Sequence, residues 1–183
     1  PRDEKTEELT TFIIGEVDRL NRVVSNFLDF ARPQALNVEV KRIEDVIDKS
    51  LHLAQPKLSQ AHVEVIRDYG KNIPRIKIDA ELLSEAFLNL IINAAEAMQD
   101  GGRLTVSPRE SRNFKFPEGC VEISFADTGM GISKQELLKI FNPFFSGKDE
   151  GSGLGLAIVH KIIEAHNGQI SVKSKPSRGS VFT

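Results

Sequence analysis

A buried-strand pattern that ends in an aspartate and two glycines most constrains how this chain can fold. The pattern runs from Cys120 to Ala126, and the letters DTGMGI follow it at residues 127–132. Because glycines remove side chains from the turn, a flat ligand can lie against the backbone beside the carboxylate of Asp127. The stretch therefore predicts a purine pocket, and an Asp-initiated turn without a ligand is the simpler alternative.

A second glycine-rich stretch, GSGLGL, occupies residues 151–156 and opens a helical pattern that continues to His166. Free backbone N–H groups and the positive end of the helix dipole make such a start a natural phosphate site. A dinucleotide-binding fingerprint requires a strand before its glycines, and no strand pattern precedes this stretch. A P-loop is also excluded, because Asp149 follows Gly147-Lys148 where serine or threonine is required. A glycine-rich linker is the alternative interpretation.

The most regular helical pattern spans Ala80 to Met98 and has one apolar face and one polar stripe. Asn89 and Asn93 lie one turn apart on the stripe, although asparagine is a mediocre helix former. An amide oxygen is a hard, neutral ligand that suits Mg²⁺ when phosphates and waters supply the other ligands. We therefore predict that Asn93 binds a metal ion; a solvated helix face is the alternative. The predicted core face consists of Leu82, Leu83, Ala86, Phe87, Leu90, Ile91, Ala94 and Met98.

Three aromatic residues lie between the two glycine motifs, in the letters FNPFF at residues 141–145. Core aromatics around a turn are the ordinary explanation. Their position between the motifs favours a lid that closes over a bound ligand. Lys148 in the same segment is predicted to meet the terminal phosphate, and a solvated surface lysine is the alternative.

Composition excludes several classes of function. Lysine and arginine total 24 against 26 acidic residues, so the formal charge of -2 gives no footprint for nucleic acid. The single cysteine, Cys120, excludes a disulfide framework and a cysteine-based metal site. No apolar run approaches the roughly 18 residues that span a membrane. We expect a cytoplasmic segment without membrane contact, and because it opens on Pro1, we expect any sensor and anchor to lie upstream.

A heptad pattern from about Glu7 to Ala31 predicts a long helix that needs partner helices. Pro33 ends it, because proline forces the preceding residue out of helical geometry. We therefore predict two domains, residues 1–33 and residues 34–183. The residues of the predicted seam are Ile13, Val17, Leu20, Val24, Phe27 and Ala31.

The main domain is predicted to be an α/β fold, a two-layer sandwich in which helices cover one face of a mixed sheet. Its last helix carries His160 and His166, for which a surface position is the plain expectation. The predicted strands are Val38–Val40, Val63–Asp68 and Arg75–Asp79 as an antiparallel pair, Arg103–Glu110 and Cys120–Ala126 as a hairpin, then Gln169–Lys175 and Ser180–Thr183. The predicted helices are Ile43–Gln60, Ala80–Met98, Lys134–Ile140 and Ser152–His166.

Together these motifs resemble the catalytic and ATP-binding domain of sensor histidine kinases, a Bergerat-type fold. The letters NLIINA at residues 89–94 look like the family's N box, and residues 127–132, 141–145 and 151–156 like its first glycine, F and second glycine boxes. The NAAEAM run and the PFFSGK lid are most similar to the nitrogen-regulatory subclass. The resemblance implies a Mg·ATP site formed by Asn89, Asn93, Asp127, Gly129, Gly131, Ile132, Phe144, Lys148, Gly151, Ser152, Gly153, Leu154, Gly155, Leu156 and Thr183, with Asn89, Asn93 and Lys148 as catalytic residues.

The resemblance also implies partners. The helix of residues 1–33 is similar to the second helix of the family's dimerisation and phosphoacceptor hairpin, so the intact protein is expected to be a homodimer. Histidine followed by an acidic residue, the acceptor motif, does not occur in the sequence. The implied reaction is transfer of the γ-phosphoryl group of ATP to a histidine of that hairpin, and then to an aspartate of a response-regulator receiver domain.

Two other functions are consistent with the same motifs. An ATPase clamp of the gyrase, MutL and chaperone kind carries a glutamate base one turn before the magnesium asparagine. Here that position is Asn89, which cannot take a proton at neutral pH. The second alternative is a non-catalytic ATP-binding module that acts by docking its heptad helix.

Overall fold

The computed structural model describes residues 9–15, 17, 35–112, 114–145 and 153–183. The chain divides into two units, Pro1–Ala35 and Leu36–Thr183. In the first unit, residues 9–15 and 17 are helical, and the seam residues Ile13 and Val17 are exposed. The other predicted seam residues, Leu20, Val24, Phe27 and Ala31, lie outside the described residues.

The second unit contains seven strands and four helices among its described residues. In chain order they are β1 (Glu39–Lys41), α1 (Ile43–Gln60), β2 (Val63–Arg67), β3 (Ile76–Ile78), α2 (Ala80–Ala97), β4 (Gly102–Ser111), β5 (Cys120–Asp127), α3 (Lys134–Leu137), α4 (Gly155–Ala165), β6 (Val172–Ser174) and β7 (Ser180–Phe182). No helix among the residues given above is both long enough and apolar enough to cross a membrane.

Five strands form one mixed sheet in the order β2-β4-β5-β7-β6. β2 runs parallel to β4, and every other pairing in this sheet is antiparallel. A connection through β3 and α2 joins β2 to β4, as a parallel pair requires, since a tight turn cannot link parallel strands. The predicted α/β class, the mixed sheet and the hairpin of β4 and β5 are confirmed.

The predicted antiparallel pairing of the strands near Val63 and Arg75 is wrong. β3 pairs instead with β1 in a separate two-stranded sheet. After β2 the backbone continues alongside β4, where Gly70 N–H donates to the carbonyl of Pro108 at 3.0 Å. The chain therefore does not turn back on itself at Gly70.

The core lies between the five-stranded sheet and helices α1 and α2. The side chains of Ile43, Ile47 and Leu51 on α1 are buried, as are Leu104 and Val106 on β4. The predicted core face of α2 is confirmed, with Leu82 only partly buried at its margin. The rings of Phe87 on α2 and Phe125 on β5 lie 5.3 Å apart between centroids, which joins the helix to the sheet.

Asp79 begins α2 as its N-cap residue, with side-chain Oδ1 accepting the N–H groups of Glu81 and Leu82 at 3.1 Å. The N–H of Asp79 donates to Nε2 of His166, and Nδ1 of His166 lies 2.8 Å from the carbonyl of Ile162. The expectation that His166 is simply a surface residue is therefore wrong. His166 is partly buried, and its ring links the end of α4 to the start of α2.

Candidate functional site

Asp127 is the last residue of β5, and its carboxylate is held by backbone groups. It is buried, with 7% of its surface exposed. Its Oδ1 accepts the N–H of Gly129 at 2.8 Å and the N–H of Ser180 on β7 at 3.2 Å. Burial raises the pKa of the carboxyl above its ordinary value, and these two hydrogen bonds oppose that rise. Both N–H groups bind Oδ1, and a hydrogen bond from the Ser180 side chain also lowers the pKa of this carboxyl.

The loop after Asp127 passes so close to its neighbours that only glycine fits. A Cβ on Gly129 would lie 2.5 Å from the carbonyl oxygen of Ala97, at the end of α2. Gly131 has φ of +71°, and its Cβ would overlap the carbonyl oxygen of Lys175. Met130 N–H donates to Ala97 O at 3.0 Å, so backbone pairing also fastens the loop to α2. The predicted lack of side chains in this turn therefore has a structural cause.

Replacing Gly131 with alanine is expected to lower the free energy of unfolding by about 3 kcal/mol, because left-handed strain adds to the overlap with Lys175. Thermal unfolding followed by circular dichroism measures the change. Gly15→Ala is the control, since a Cβ at Gly15 meets nothing within 4 Å. Equal melting temperatures for the Gly131 variant and the parent protein would contradict the packing described for this loop.

One face of α2 forms a wall of the site. Asn89, Asn93 and Ala97 are spaced by four residues, so they lie on one face over about 12 Å. The first glycine loop contacts this face at Ala97, and Gly155 of the second motif approaches Asn89. A Cβ on Gly155 would lie 3.2 Å from Oδ1 of Asn89, while Nδ2 of Asn89 donates to the carbonyl of Glu85 at 3.1 Å. Asn93 is partly exposed, midway between the two contacts.

The second glycine motif contacts the predicted lid. Gly153 has φ of +66°, and its Cβ would lie 2.5 Å from the carbonyl carbon of Phe144. Phe144 also has a positive φ, of +65°, and its side chain is exposed. Leu154 is fully buried, and Leu156 is partly buried against the core, so these two residues anchor α4. The predicted site residues Lys148, Gly151 and Ser152 lie outside the described residues.

Ser180, and not Thr183, is the β7 residue beside Asp127. The two strands pair Asp127 with Ser180 and Phe125 with Phe182. Thr183 lies farther along, where its hydroxyl is 3.1 Å from that of Ser124. The structure therefore does not bring Thr183 to the carboxylate. Ser180 is not among the site residues predicted from the sequence, although it directly follows a glycine, Gly179. In the structure a Cβ on Gly179 would overlap the carbonyl of Asp127.

A cavity of about 540 Å³ lies away from Asp127 and has a different character. It is lined by apolar side chains such as Val121, Ile123, Ile163 and Phe182, and Thr183 is the predicted site residue that borders it. The site around Asp127 is recognised instead by its converging backbone groups. Within the described part of the chain, no cluster of three or more His, Cys, Asp or Glu side chains could hold a metal ion.

Residues 78–183 match the model of the family described as histidine kinase-, DNA gyrase B-, and HSP90-like ATPase. The matched segment contains both glycine loops, the asparagine face of α2 and Asp127. It covers more than half of the chain.

Individual relatives agree with this match. The chain is 37% identical over 183 residues to sensor histidine kinase ZraS of Klebsiella oxytoca, covering all of this chain and 38% of that protein. It is 35% identical over 178 residues to sensory histidine kinase/phosphatase NtrB of Rhodobacter capsulatus, covering 93% of this chain and 50% of that protein. The crystal structure of full-length ShkA in complex with AMPPNP superposes with a TM-score of 0.78 at 26% identity, covering 98% of this chain and 38% of that chain.

The chain thus spans between about a third and a half of the length of these proteins. The alternative of a gyrase or chaperone type ATPase is not favoured, since the curated relatives are histidine kinases. Because the family model matches more than half of the chain, the chain belongs to the histidine kinase-, DNA gyrase B- and HSP90-like ATPase family.

Proposed function

We propose that this chain transfers the γ-phosphoryl group of Mg·ATP to a histidine on a separate acceptor hairpin. The main support for the proposal is the face of α2 that contains Asn89, Asn93 and Ala97. Both glycine loops contact this face, at positions about 12 Å apart. A nucleotide that rests its base at one loop and its phosphates at the other would run along this face. Asn93 would then lie beside the phosphates.

The purine would lie against the first glycine loop. Asp127 would accept a hydrogen bond from the exocyclic amine of adenine, a group that guanine lacks at that position. Gly129 and Gly131 would leave the ring in contact with backbone, and Ile132 would close the pocket. At the other loop, Gly153, Leu154 and Gly155 precede or begin α4, whose first N–H groups have no helical partner and favour phosphate.

Asn93 and Asn89 would act at the phosphates. The amide oxygen of Asn93 suits Mg²⁺ that phosphates and waters also bind, and the described residues offer no carboxylate cluster that would hold the ion without the nucleotide. When bound, Mg²⁺ neutralises phosphate charge. Lys148 would meet the terminal phosphate, Phe144 would belong to the closing lid, and Gly151 and Ser152 would belong to the second glycine motif beside the phosphates.

The work of these residues would be positioning and charge stabilisation, because phosphoryl transfer needs little covalent chemistry from the protein. Asn89 cannot act as a general base for water, since a neutral amide takes no proton at neutral pH. Hydrolysis of ATP should therefore be slow compared with transfer to an acceptor. The nucleophile would be the imidazole of the hairpin histidine.

Mixing the chain with γ-labelled ATP and a separate acceptor hairpin tests the proposal. Label on the hairpin histidine is the expected result, and a hairpin whose histidine is replaced by alanine is the control. Free phosphate as the main product would indicate an ATPase clamp instead. Binding of ATP without either product would indicate a non-catalytic docking module.

The pKa of Asp127 predicts how ATP affinity depends on pH. The ionised carboxylate accepts the adenine amine, and burial raises its pKa above the ordinary value. ATP affinity should therefore fall on acidification at a higher pH than an unperturbed aspartate would cause. A carboxyl group whose pKa is raised in the folded protein stabilises the folded state at pH values below its pKa in the unfolded chain. This stabilisation is lost as the pH rises through the pKa of the folded protein. Protonation of Asp127 therefore does not unfold the protein. Calorimetric titrations with ATP across acidic pH measure the effect, and Asp127→Asn should remove this component.

The partners of the whole protein are part of the same proposal. The acceptor hairpin would come from the same or a partner chain of a homodimer, with residues 1–33 forming its second helix. A response-regulator receiver domain would take the phosphoryl group from the histidine. The catalytic segment would work in the cytoplasm, and a membrane anchor, where present, would belong to another part of the protein.

A further inference from the structure

The two helices that carry the proposed phosphate site run antiparallel and contact each other at both ends. α2 carries Asn89 and Asn93, and α4 packs against it. At the start of α4, a Cβ on Gly155 would lie 3.2 Å from Oδ1 of Asn89. At the end of α4, Nε2 of His166 accepts the N–H of Asp79, the N-cap residue of α2, at 3.0 Å. The second contact therefore lies at the end of α4 that is farthest from the glycine motif.

The two contacts are almost equally spaced along the two helices. Asn89 lies ten residues after Asp79, or about 15 Å along α2. His166 lies eleven residues after Gly155, or about 16.5 Å along α4. Because these lengths nearly match, α4 makes both contacts at a single axial position. Sliding of α4 along α2 would disturb both.

The hydrogen bonds of His166 define which of its nitrogens carries the proton. The backbone N–H of Asp79 can only donate, so Nε2 of His166 accepts and carries no proton. The carbonyl of Ile162, 2.8 Å from Nδ1, can only accept, so Nδ1 carries the proton. The ring is therefore neutral in this arrangement, and it links the end of α4 to α2 through one acceptor atom.

This hydrogen bond is directional, unlike the apolar contacts of α4. The buried side chains of Ala157, Val159 and Ile162 hold the helix against the core. Apolar burial has no preferred direction, whereas an N–H donor and its acceptor must lie about 2.7–3.2 Å apart and nearly in line. The bond between His166 and Asp79 therefore resists sliding of α4 more specifically than the apolar contacts do.

We propose that His166 is a positioning residue of the phosphate site. Its hydrogen bond to the N-cap of α2 sets the axial position of α4, and that position places the second glycine motif beside Asn89 and Asn93. The inference rests on the proposed function, because it requires the phosphates to lie between that motif and Asn93. His166 lies about 16.5 Å along the helix from Gly155, so it acts through α4 and not by touching the nucleotide.

Asparagine and glutamine are matched replacements for His166, because both carry the same amide and they differ by one methylene. In His166→Gln, the longer side chain brings its oxygen to the place of Nε2, where it can accept the N–H of Asp79. In His166→Asn, the amide reaches only the place of Nδ1, beside the carbonyl of Ile162. At saturating Mg·ATP, phosphoryl transfer to the acceptor hairpin should fall about tenfold in His166→Asn and stay within about twofold of the parent protein in His166→Gln.

Binding of adenosine separates positioning of the phosphates from general damage to the fold. Adenosine has no phosphates, so its affinity should stay within about threefold of the parent value in both variants. Calorimetry on the full chain measures this affinity, and γ-labelled ATP measures transfer. His52→Asn is the control, since His52 is exposed on α1 and both readouts should be unchanged there. If His166→Asn does not fold, His166→Leu takes its place, because leucine also lacks the acceptor.

Three results would overturn the inference. They are transfer at the parent rate in the variants without the acceptor, transfer in His166→Gln as low as in His166→Asn, or loss of adenosine binding in parallel with transfer. Failure of the proposed function would look different. If the parent protein labels the hairpin and any of these results is found, only the role of His166 is wrong. If the parent protein itself does not label the hairpin, the proposed function is wrong.

Discussion

Asn93→Ala is expected to lower phosphoryl transfer to the acceptor hairpin by at least about 100-fold, since a lost metal ligand removes several kcal/mol of charge stabilisation. The fold should be unaffected. Asn93 is partly exposed on α2, and alanine is a better helix former than asparagine. The melting temperature of the nucleotide-free variant should therefore equal or slightly exceed that of the parent protein.

Binding measurements separate loss of the metal ligand from other causes. For the parent protein, Mg²⁺ should strengthen ATP binding, and chelation of the ion should weaken it. For Asn93→Ala the two conditions should give nearly equal affinities. Glu81→Ala is the matched control, because Glu81 lies on an exposed part of the same helix and pairs only with Lys49 among the described residues. Transfer that survives in Asn93→Ala at saturating Mg·ATP would show that the metal assignment is wrong.

The parts of the site that sequence analysis predicted are those specified by local chemistry. Asp127 and the glycines after it lie within one turn. Glycine is required at residues 129 and 131 because other backbone groups approach both positions closely. The asparagine face of α2 follows in the same way from helical periodicity, which places Asn89 and Asn93 on one side. These patterns need no knowledge of which distant elements they contact.

The errors concern contacts between elements that are far apart in the sequence. Alternation pairs the strand near Arg75 with its neighbour in sequence, whereas β3 pairs with β1 and β2 with β4 in the structure. The sequence around His166 predicts a surface position, because its partner, the N–H of Asp79, lies 87 residues earlier. Alternation within one strand cannot identify the strand or helix that will pack beside it.

The sequence does not reveal the strand register that decides which hydroxyl of the closing segment lies opposite Asp127. Ser180 and Thr183 both belong to the closing segment, and both carry a hydroxyl. Only the antiparallel ladder decides that Ser180 is opposite Asp127 and that Thr183 is beside Ser124. A shift of three residues moves a side chain about 10 Å along a strand, so the choice decides which hydroxyl reaches the site.

Asp127→Asn is expected to weaken ATP binding by about ten- to a hundredfold, the range for losing a hydrogen bond to a charged group. The asparagine amide oxygen can still accept the N–H groups of Gly129 and Ser180, so the loop should keep its shape. Because burial disfavours the ionised carboxylate, removing its charge should leave the melting temperature unchanged or raise it. Lower affinity without lower stability would thus be the signature of a ligand-binding carboxylate.

The nucleotide base supplies the second readout. The parent protein should prefer ATP to GTP, because the carboxylate of Asp127 would attract the amine of adenine and repel the carbonyl oxygen of guanine. In Asp127→Asn the amide oxygen accepts the N–H groups of Gly129 and Ser180, so the NH₂ group is left to face the base and the preference for ATP should shrink. Asp68→Asn is the control, since Asp68 is an exposed aspartate that pairs with Arg109 away from this loop. Calorimetry with both nucleotides measures the ratio, and an unchanged preference for ATP would place the base somewhere other than beside Asp127.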